Sequence, residues 1–437
     1  MLQRRAGAPA SLPAPWVAVG GGAVLVLGCA VAGFLWTRQG VRLHLGSAYP
    51  VDGRYLVHLT PWLLAPIVVG IVALRYRSRV TPGWSFLGAL AWSIALGLVG
   101  GGPSALAAPL TTRYEYLADV SRIGDLGAFV RNFDLSIVDA TYGPLWTVQV
   151  AGHPPLATLM FVWLERAGLG GAGWAAALCI VGGAAAAPAV LSTVRVLAGA
   201  DRARAAAPFV TFAPAALWIA TSADALFAGV AAAGICALAH AAARHGWRAD
   251  ILALLGGLLL GACLYLSYGL VLIGPLALAA VLVQRRIRPL LVGGLGVGAV
   301  VLAFTLAGFW WLHGLHEVYL RMVTGGGYLD RPRAYFAVAN WAALALMVGP
   351  AVLAALPYAW RERHDLRLLA LPAASLLALL VAVVSDLSKG EVERIYLPWA
   401  VWLLPLAALL PAASRRGWLA AQLGLAFVIA ATTELTW

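Results

Sequence analysis

The chain has 437 residues, of which 62% are hydrophobic and 11% charged, and its mean hydropathy is +0.87. Those proportions exclude a soluble globule, because apolar runs repeatedly reach the roughly 20 residues that cross about 30 Å of hydrocarbon as a helix. A net charge of +12 would suggest nucleic acid in a soluble protein, but these arginines sit in short loops between apolar runs, where they orient the chain; no nucleic-acid partner is expected.

The first apolar run, 16–36, follows Arg4 and Arg5. Ala30-Val31-Ala32 offers the small residues of a cleavage site. The run is nevertheless of spanning length and ends in Phe34-Leu35-Trp36, an interfacial anchor, so an uncleaved span is expected. Further spans are expected at 60–75, 85–108, 172–195, 206–221, 224–243, 250–266, 268–284, 289–311, 337–359, 368–385, 396–412 and 417–433. The expected fold is therefore an all-α, polytopic transmembrane helical bundle of about 13 spans with a long first outer loop carrying interfacial helices. The stretch 156–169, which carries Glu165 and Arg166, is too short to span comfortably and reads as a helix lying in the outer leaflet.

With the N-terminus inside, that count places the basic clusters on the cytoplasmic side. They are Arg4 and Arg5; Arg75, Arg77 and Arg79; Arg195, Arg202 and Arg204; Arg244 and Arg248; Arg285, Arg286 and Arg288; Arg361, Arg363 and Arg367; and Arg415 and Arg416. Only Asp201, Asp250, Glu362 and Asp365 accompany them, so the remaining acids face outward. A multi-pass plasma-membrane protein with a cytoplasmic N-terminus and an extracytoplasmic chemical face is the expectation. Cys29, Cys179, Cys236 and Cys263 lie within apolar runs without paired spacing and read as packing residues.

The long loop 109–171 carries most of the chemistry. It opens Thr111-Thr112-Arg113-Tyr114-Glu115-Tyr116-Leu117-Ala118-Asp119. Glu115 and Asp119 are four apart and share a face on a helix, where like charge raises the proton affinity of one of them, as a general base requires. A solvated helix face has the same spacing. Tyr142-Gly143-Pro144-Leu145-Trp146 and Gly152-His153-Pro154-Pro155-Leu156 follow. Two prolines after His153 fix the backbone at a helix start, so the imidazole is either a phosphate or carboxylate donor or a simple interfacial turn residue.

Arg113-Tyr114-Glu115, Gly124-Asp125 about ten residues on, the Pro154-Pro155-Leu156 start, a short helix and a span rich in small residues together resemble the GT-C superfamily of membrane glycosyltransferases. Lipid A aminoarabinose transferases and protein O-mannosyltransferases are the relatives in view. The resemblance covers about 85–245, and two extra spans precede it. It implies a GT-C-like bundle in which Glu115 or Asp119 is the base and His153 a phosphate contact; Arg113, beside them in the loop, is a candidate substrate contact. Asp224, in Thr221-Ser222-Ala223-Asp224, stands where the family carries an acid in its second outer loop. The family often has an Asp-Glu pair where this chain has Pro109-Leu110-Thr111-Thr112, which leaves the base open between Glu115 and Asp119.

Later outer segments add cations. Gly325-Gly326-Gly327-Tyr328 leads into Asp330-Arg331-Pro332-Arg333, and Ser388-Lys389-Gly390-Glu391-Val392-Glu393-Arg394 contains the only lysine. Arg394 at the mouth of a span is costly unless paired, so Glu391, Glu393 or a lipid phosphate is its expected partner. Arg331, Arg333, Lys389 and Arg394 are candidate substrate contacts. His313, His316 and Glu317 have ligand types at i, i+3 and i+4, so a divalent metal stays open, although the preceding Phe309-Trp310-Trp311 fits an aromatic interface equally. No metal site is assigned, and no cofactor is named with certainty.

The chain divides into 1–84, extra N-terminal helices; 85–245, a core module; and 246–437, C-terminal helices with outer loops 312–336 and 386–395. The resemblance implies an inverting glycosyltransferase that uses a polyprenyl-phosphate sugar. Its partners would be that donor, a glycan, lipid or protein acceptor, and membrane lipids. A transporter or lipid flippase is the alternative, disfavoured because span interiors are nearly free of ionisable groups.

Overall fold

The computed structural model describes residues 14–325 and 329–436. Arg4, Arg5 and the Gly326-Gly327-Tyr328 part of the glycine run lie outside the described residues. The chain is a multi-pass, largely helical membrane protein, but its spans are fewer than the apolar runs predict. Among the described residues, seven helices are long and apolar enough to cross a membrane: Pro15–Arg38, Ala172–Ala198, Ala223–Ala242, Trp247–Leu266, Arg288–Leu306, Arg333–Arg361 and Leu366–Val384. Pro82–Leu98 and Pro103–Thr111 form a pair bent by 107°, which brings the number to eight if they count as one.

The expectation of about 13 spans is therefore corrected, and its physical reason is chain breaks hidden in apolar sequence. The 60–75 run is a helix of 13 residues, Leu64–Tyr76, after a 3-10 turn, and at 1.5 Å per residue it covers only about 20 Å. The 206–221 run stops at Thr211 and turns again through Pro214–Trp218. Tyr268–Leu282 and Leu397–Leu409 are likewise short. Each contains a proline behind a turn, Pro275 and Pro405, which removes a backbone donor. Arg415–Thr432 opens on Arg415 and Arg416 and falls outside the spanning set.

The strict alternation of loops that rested on 13 crossings goes with that count. What persists is a separation along one helix. Ala223–Ala242 has Asp224 in its first turn and Arg244 just beyond its end, and its 20 residues place them about 30 Å apart. Near Arg244 the basic loops meet: Arg286 Nη2 approaches the Arg244 carbonyl at 3.5 Å, and Arg288 grips Asp250 through two bonds of 2.9 and 2.7 Å.

Small residues set the packing. A Cβ on Gly229 would collide with the Gly182 carbonyl, so Ala223–Ala242 can lie against Ala172–Ala198 only with glycine there. Pro15–Arg38, by contrast, has an 18-residue window only 11% buried, and packs mainly along Arg333–Arg361. Its remaining face is the kind a lipid bilayer covers.

Two features outside the spans shape the site. The loop 112–171 is a train of short helices, ending with Pro155–Arg166, whose inner face of Ala157, Thr158, Phe161 and Val162 is buried. The amphipathic helix Trp311–Thr324 lies against that train: Arg321 donates to the carbonyls of Ile137 at 3.0 Å and Trp146 at 2.9 Å. Its exposed side carries Leu312 and Tyr319 next to Trp310. The second feature is a two-stranded antiparallel clip, Gly53–Tyr55 on Thr433–Leu435, with Gly53 opposite Leu435. Nothing in the sequence pattern predicted it.

Candidate functional site

Arg394 organises a buried polar cluster. Gly390 and Glu391 both take left-handed backbone, at φ 79° and 58°, and the chain then enters the short helix Val392–Ile395. A Cβ at Gly390 would sit 2.9 Å from Leu45 Cδ2 and 3.3 Å from Arg331 Nη1, so the turn suits glycine on both counts. That turn folds Glu391 back onto Arg394. Arg394 Nη2 donates to Glu391 Oε2 at 2.7 Å, and its Nη1 donates to Asp224 Oδ2 at 2.5 Å. Asp224 sits in the first turn of its helix, where the exposed backbone N–H groups also favour an anion.

Glu391 bridges onward, with Arg331 Nη2 at 3.1 Å from its Oε1. Arg331 Nη1 donates to the Lys389 carbonyl, and Lys389 Nζ lies 2.9 Å from Asp386 Oδ2. Asp224 is 4% exposed, Arg394 6% and Lys389 8%. Burial pushes the Glu391 carboxyl up, but Arg394 and Arg331 outweigh it and hold it below the ordinary range. The same two carboxylates and Glu115 keep Arg394 firmly protonated against its desolvation.

Glu115 joins from the long loop. It is 4% exposed, and burial pushes its carboxyl up to about 7, opposed by Arg394 and reinforced by Asp224. It is thus a carboxyl that loses its proton near neutral pH, as a general base must. His153 lies beside it, with its ring centroid 5.6 Å from Tyr116 and 5.9 Å from Phe227. Burial lowers its proton affinity. Its Nδ1 is 2.8 Å from the Gln149 carbonyl, an acceptor, so Nδ1 carries the hydrogen and neutral Nε2 is left with a lone pair. In the neutral tautomer that this bond selects, Nε2 accepts a hydrogen bond; the protonated ring would donate from Nε2 to an anion.

The other candidates lie apart. Asp119 is 2% exposed and fully engaged: Oδ1 takes Arg122 Nη1 at 2.5 Å and Oδ2 takes the Thr147 N–H at 2.8 Å. It ties two parts of the long loop together. Asp119→Ala is expected to cost about 1–3 kcal/mol, because both donors lose their partner; a thermal melt of purified protein checks this, and an unchanged melt would contradict it. Arg113 is exposed and stacks on Tyr114 at 4.8 Å. Arg333 is exposed, with Nη2 at 3.3 Å from the Val384 carbonyl. His313 is held by Asp134 at 2.5 Å and lies 3.5 Å from Glu317. Among the described residues no group of three or more His, Cys, Asp or Glu is placed to hold a metal ion.

Sequence reasoning missed one acid. The Asp52 N–H donates to Glu393 Oε1 at 2.7 Å, so Glu393 pairs there and not with Arg394. Burial, with the field of Glu391, pushes Asp52 up to about 6, and burial pushes the fully enclosed Glu393 up to about 7. Asp52 also lines a cavity of about 610 Å³ between the 46–58 loop, the bent helix pair and the strand clip. Asp52 is the only acid in the stretch 37–59, a signal that was available.

The structure thus gathers Glu115, His153, Asp224, Arg331, Lys389 and Arg394 into one neighbourhood, and leaves Arg113, Asp119 and Arg333 outside it. No family model matches the chain, and no curated protein or solved structure matches it.

Proposed function

We propose that the protein moves a sugar from a polyprenyl-phosphate carrier to a hydroxyl-bearing glycan, lipid or protein acceptor at the extracytoplasmic face of the plasma membrane. The observation that carries this reading is the pairing of a proton-accepting carboxyl with fixed cations beside a cavity of mixed polar and apolar lining. Glu115 is the base: it takes the acceptor hydroxyl proton as that oxygen attacks the anomeric carbon. The bond from that carbon to the phosphate oxygen breaks, and the phosphate leaves with the electron pair. A single displacement of this kind inverts the anomeric centre.

Charge grows on the departing phosphate, so donors fixed beforehand lower the barrier. Arg331 and Arg394 are such donors, held side by side by Glu391, and Lys389 adds a third positive charge. The likeness of Arg113-Tyr114-Glu115 and Pro154-Pro155-Leu156 to the GT-C glycosyltransferases supports the same chemistry. So does the gathering of basic loops about 30 Å away at the far end of Ala223–Ala242, the arrangement that keeps arginine clusters cytoplasmic.

The test is incubation of membranes containing the protein with labelled polyprenyl-phosphate sugars. Transfer of label to an acceptor, absent from control membranes, is the expected result. Movement of the carrier between leaflets without product would replace this reading with lipid transport.

A further inference from the structure

We propose that the cavity of about 610 Å³ bordered by the strand clip is a carbohydrate-binding site, in which Asp52 accepts hydrogen bonds from the hydroxyls of a neutral sugar. This rests on the glycosyl-transfer reading for its role in the reaction, but on the cavity alone for its ligand. The volume lies within the roughly 300–1,000 Å³ of small-molecule sites.

The lining decides the ligand class. Asp52, His58, Ser104, Thr112 and Thr436 present donors and acceptors. Gly100 and Gly101 leave backbone uncovered on one wall, so a ligand can approach main-chain groups closely. A lipid tail would waste those polar groups. A phosphate is disfavoured too: among the described residues the only arginine on the wall, Arg54, is already paired with Glu434, which leaves the Asp52 carboxylate as the dominant charge. Arg331 and Arg394 do not line this cavity; they act on Asp52 from the buried cluster, where Glu391 and Asp224 pair them. The cavity is therefore a hydroxyl-reading compartment next to that ion-pair cluster.

Asp52 is held for that task. Its N–H is fixed by Glu393, and its carbonyl accepts from the Thr436 N–H at 3.3 Å. A carboxylate accepts at several positions at once, which suits vicinal hydroxyls. Asp52, His58 and Thr436 all fall outside 85–245, so the resemblance to glycosyltransferases says nothing of them. The sugar of the donor and the sugar of a glycan acceptor present the same hydroxyl chemistry, and the experiment separates them.

Full-length protein in lipid nanodiscs is tested by saturation-transfer NMR against methyl hexosides, methyl pentosides and inorganic phosphate. At least one glycoside is expected to bind, and phosphate is not expected to compete with it. Binding is expected to be lost in Asp52→Asn and in Ala105→Trp, which fills the cavity from its wall while leaving Asp52 intact. In the transfer assay both variants are expected to raise KM at least tenfold for one substrate, donor or acceptor, and that substrate is the one the cavity holds. Failure of every glycoside to bind, or binding and KM unchanged in both variants, would overturn the assignment. Glycoside binding without any transfer would remove the proposed reaction and keep the cavity as a sugar site; transfer insensitive to both variants would do the reverse.

Discussion

An Arg394→Ala variant is expected to lose about 3–5 kcal/mol of stability and all transfer activity. The loss follows from what stays behind: Asp224 and Glu391, 2.5 and 2.7 Å from the guanidinium, would remain in the interior without their common counter-charge. Arg394→Lys keeps the charge but cannot bridge two carboxylates from a planar fork, so it should recover only part of that stability. A control separates structure from chemistry. Arg394→Met combined with Asp224→Leu removes the buried pair together and leaves Glu391 its bond to Arg331. It should recover most of the melting temperature while transfer stays absent. Thermal melts in detergent at pH 7.5, with transfer assays alongside, read both quantities. An Arg394→Ala protein that melts with its parent would show that the pairing contributes nothing.

Glu115→Gln is expected to fold and to lose transfer by at least about 10²-fold, the lower end of what a positioned base contributes. It should also change the pH dependence of stability. Burial raises the Glu115 carboxyl from 4.5 to about 7, so between those values the unfolded chain releases a proton that the folded protein still holds. Stability therefore falls as pH rises from about 4.5 to about 7 and is flat above, with a total loss of roughly 3 kcal/mol. The amide has no proton to lose. The variant should match or fall below its parent at pH 5 and melt above it at pH 8. Activity in the parent should climb with pH through about 7 as Glu115 ionises. Burial chiefly sets that midpoint, with Arg394 lowering it and Asp224 and Glu391 raising it, so Asp224→Asn should move it downward by removing a repelling charge. Undiminished transfer by Glu115→Gln would end the assignment of Glu115 as base.

Much of the site was legible because prolines and charges interrupt apolar sequence conspicuously. Pro154-Pro155 marks the start of Pro155–Arg166, and Asp224 ahead of a long apolar run marks the first turn of Ala223–Ala242. Arg394 announces a buried charge by its position at the mouth of an apolar run. Its partner was less legible. Asp224 is 170 residues away, and local spacing offers only Glu391 and Glu393. The span count failed for a related reason. A turn such as Phe212–Pro214, enclosed by neighbouring helices, needs no polar residues, so hydropathy runs on through it while the helix stops. The strand clip escaped notice because strands of three residues leave no alternation to read.

Arg321 ties the amphipathic helix Trp311–Thr324 to the backbone beside the proposed base. The carbonyl of Trp146 that it holds belongs to the residue before Thr147, whose N–H is bound by Asp119 and whose hydroxyl reaches the Glu115 carbonyl at 3.4 Å. Trp310, Leu312 and Tyr319 are exposed apolar and aromatic side chains of the kind that settle where headgroups meet acyl chains. If that greasy face floats in a bilayer, its depth is passed, bond by bond, to the backbone of the proposed proton acceptor. Lipid thickness would then be a mechanical input to the proposed reaction, much as a float sets the height of a valve.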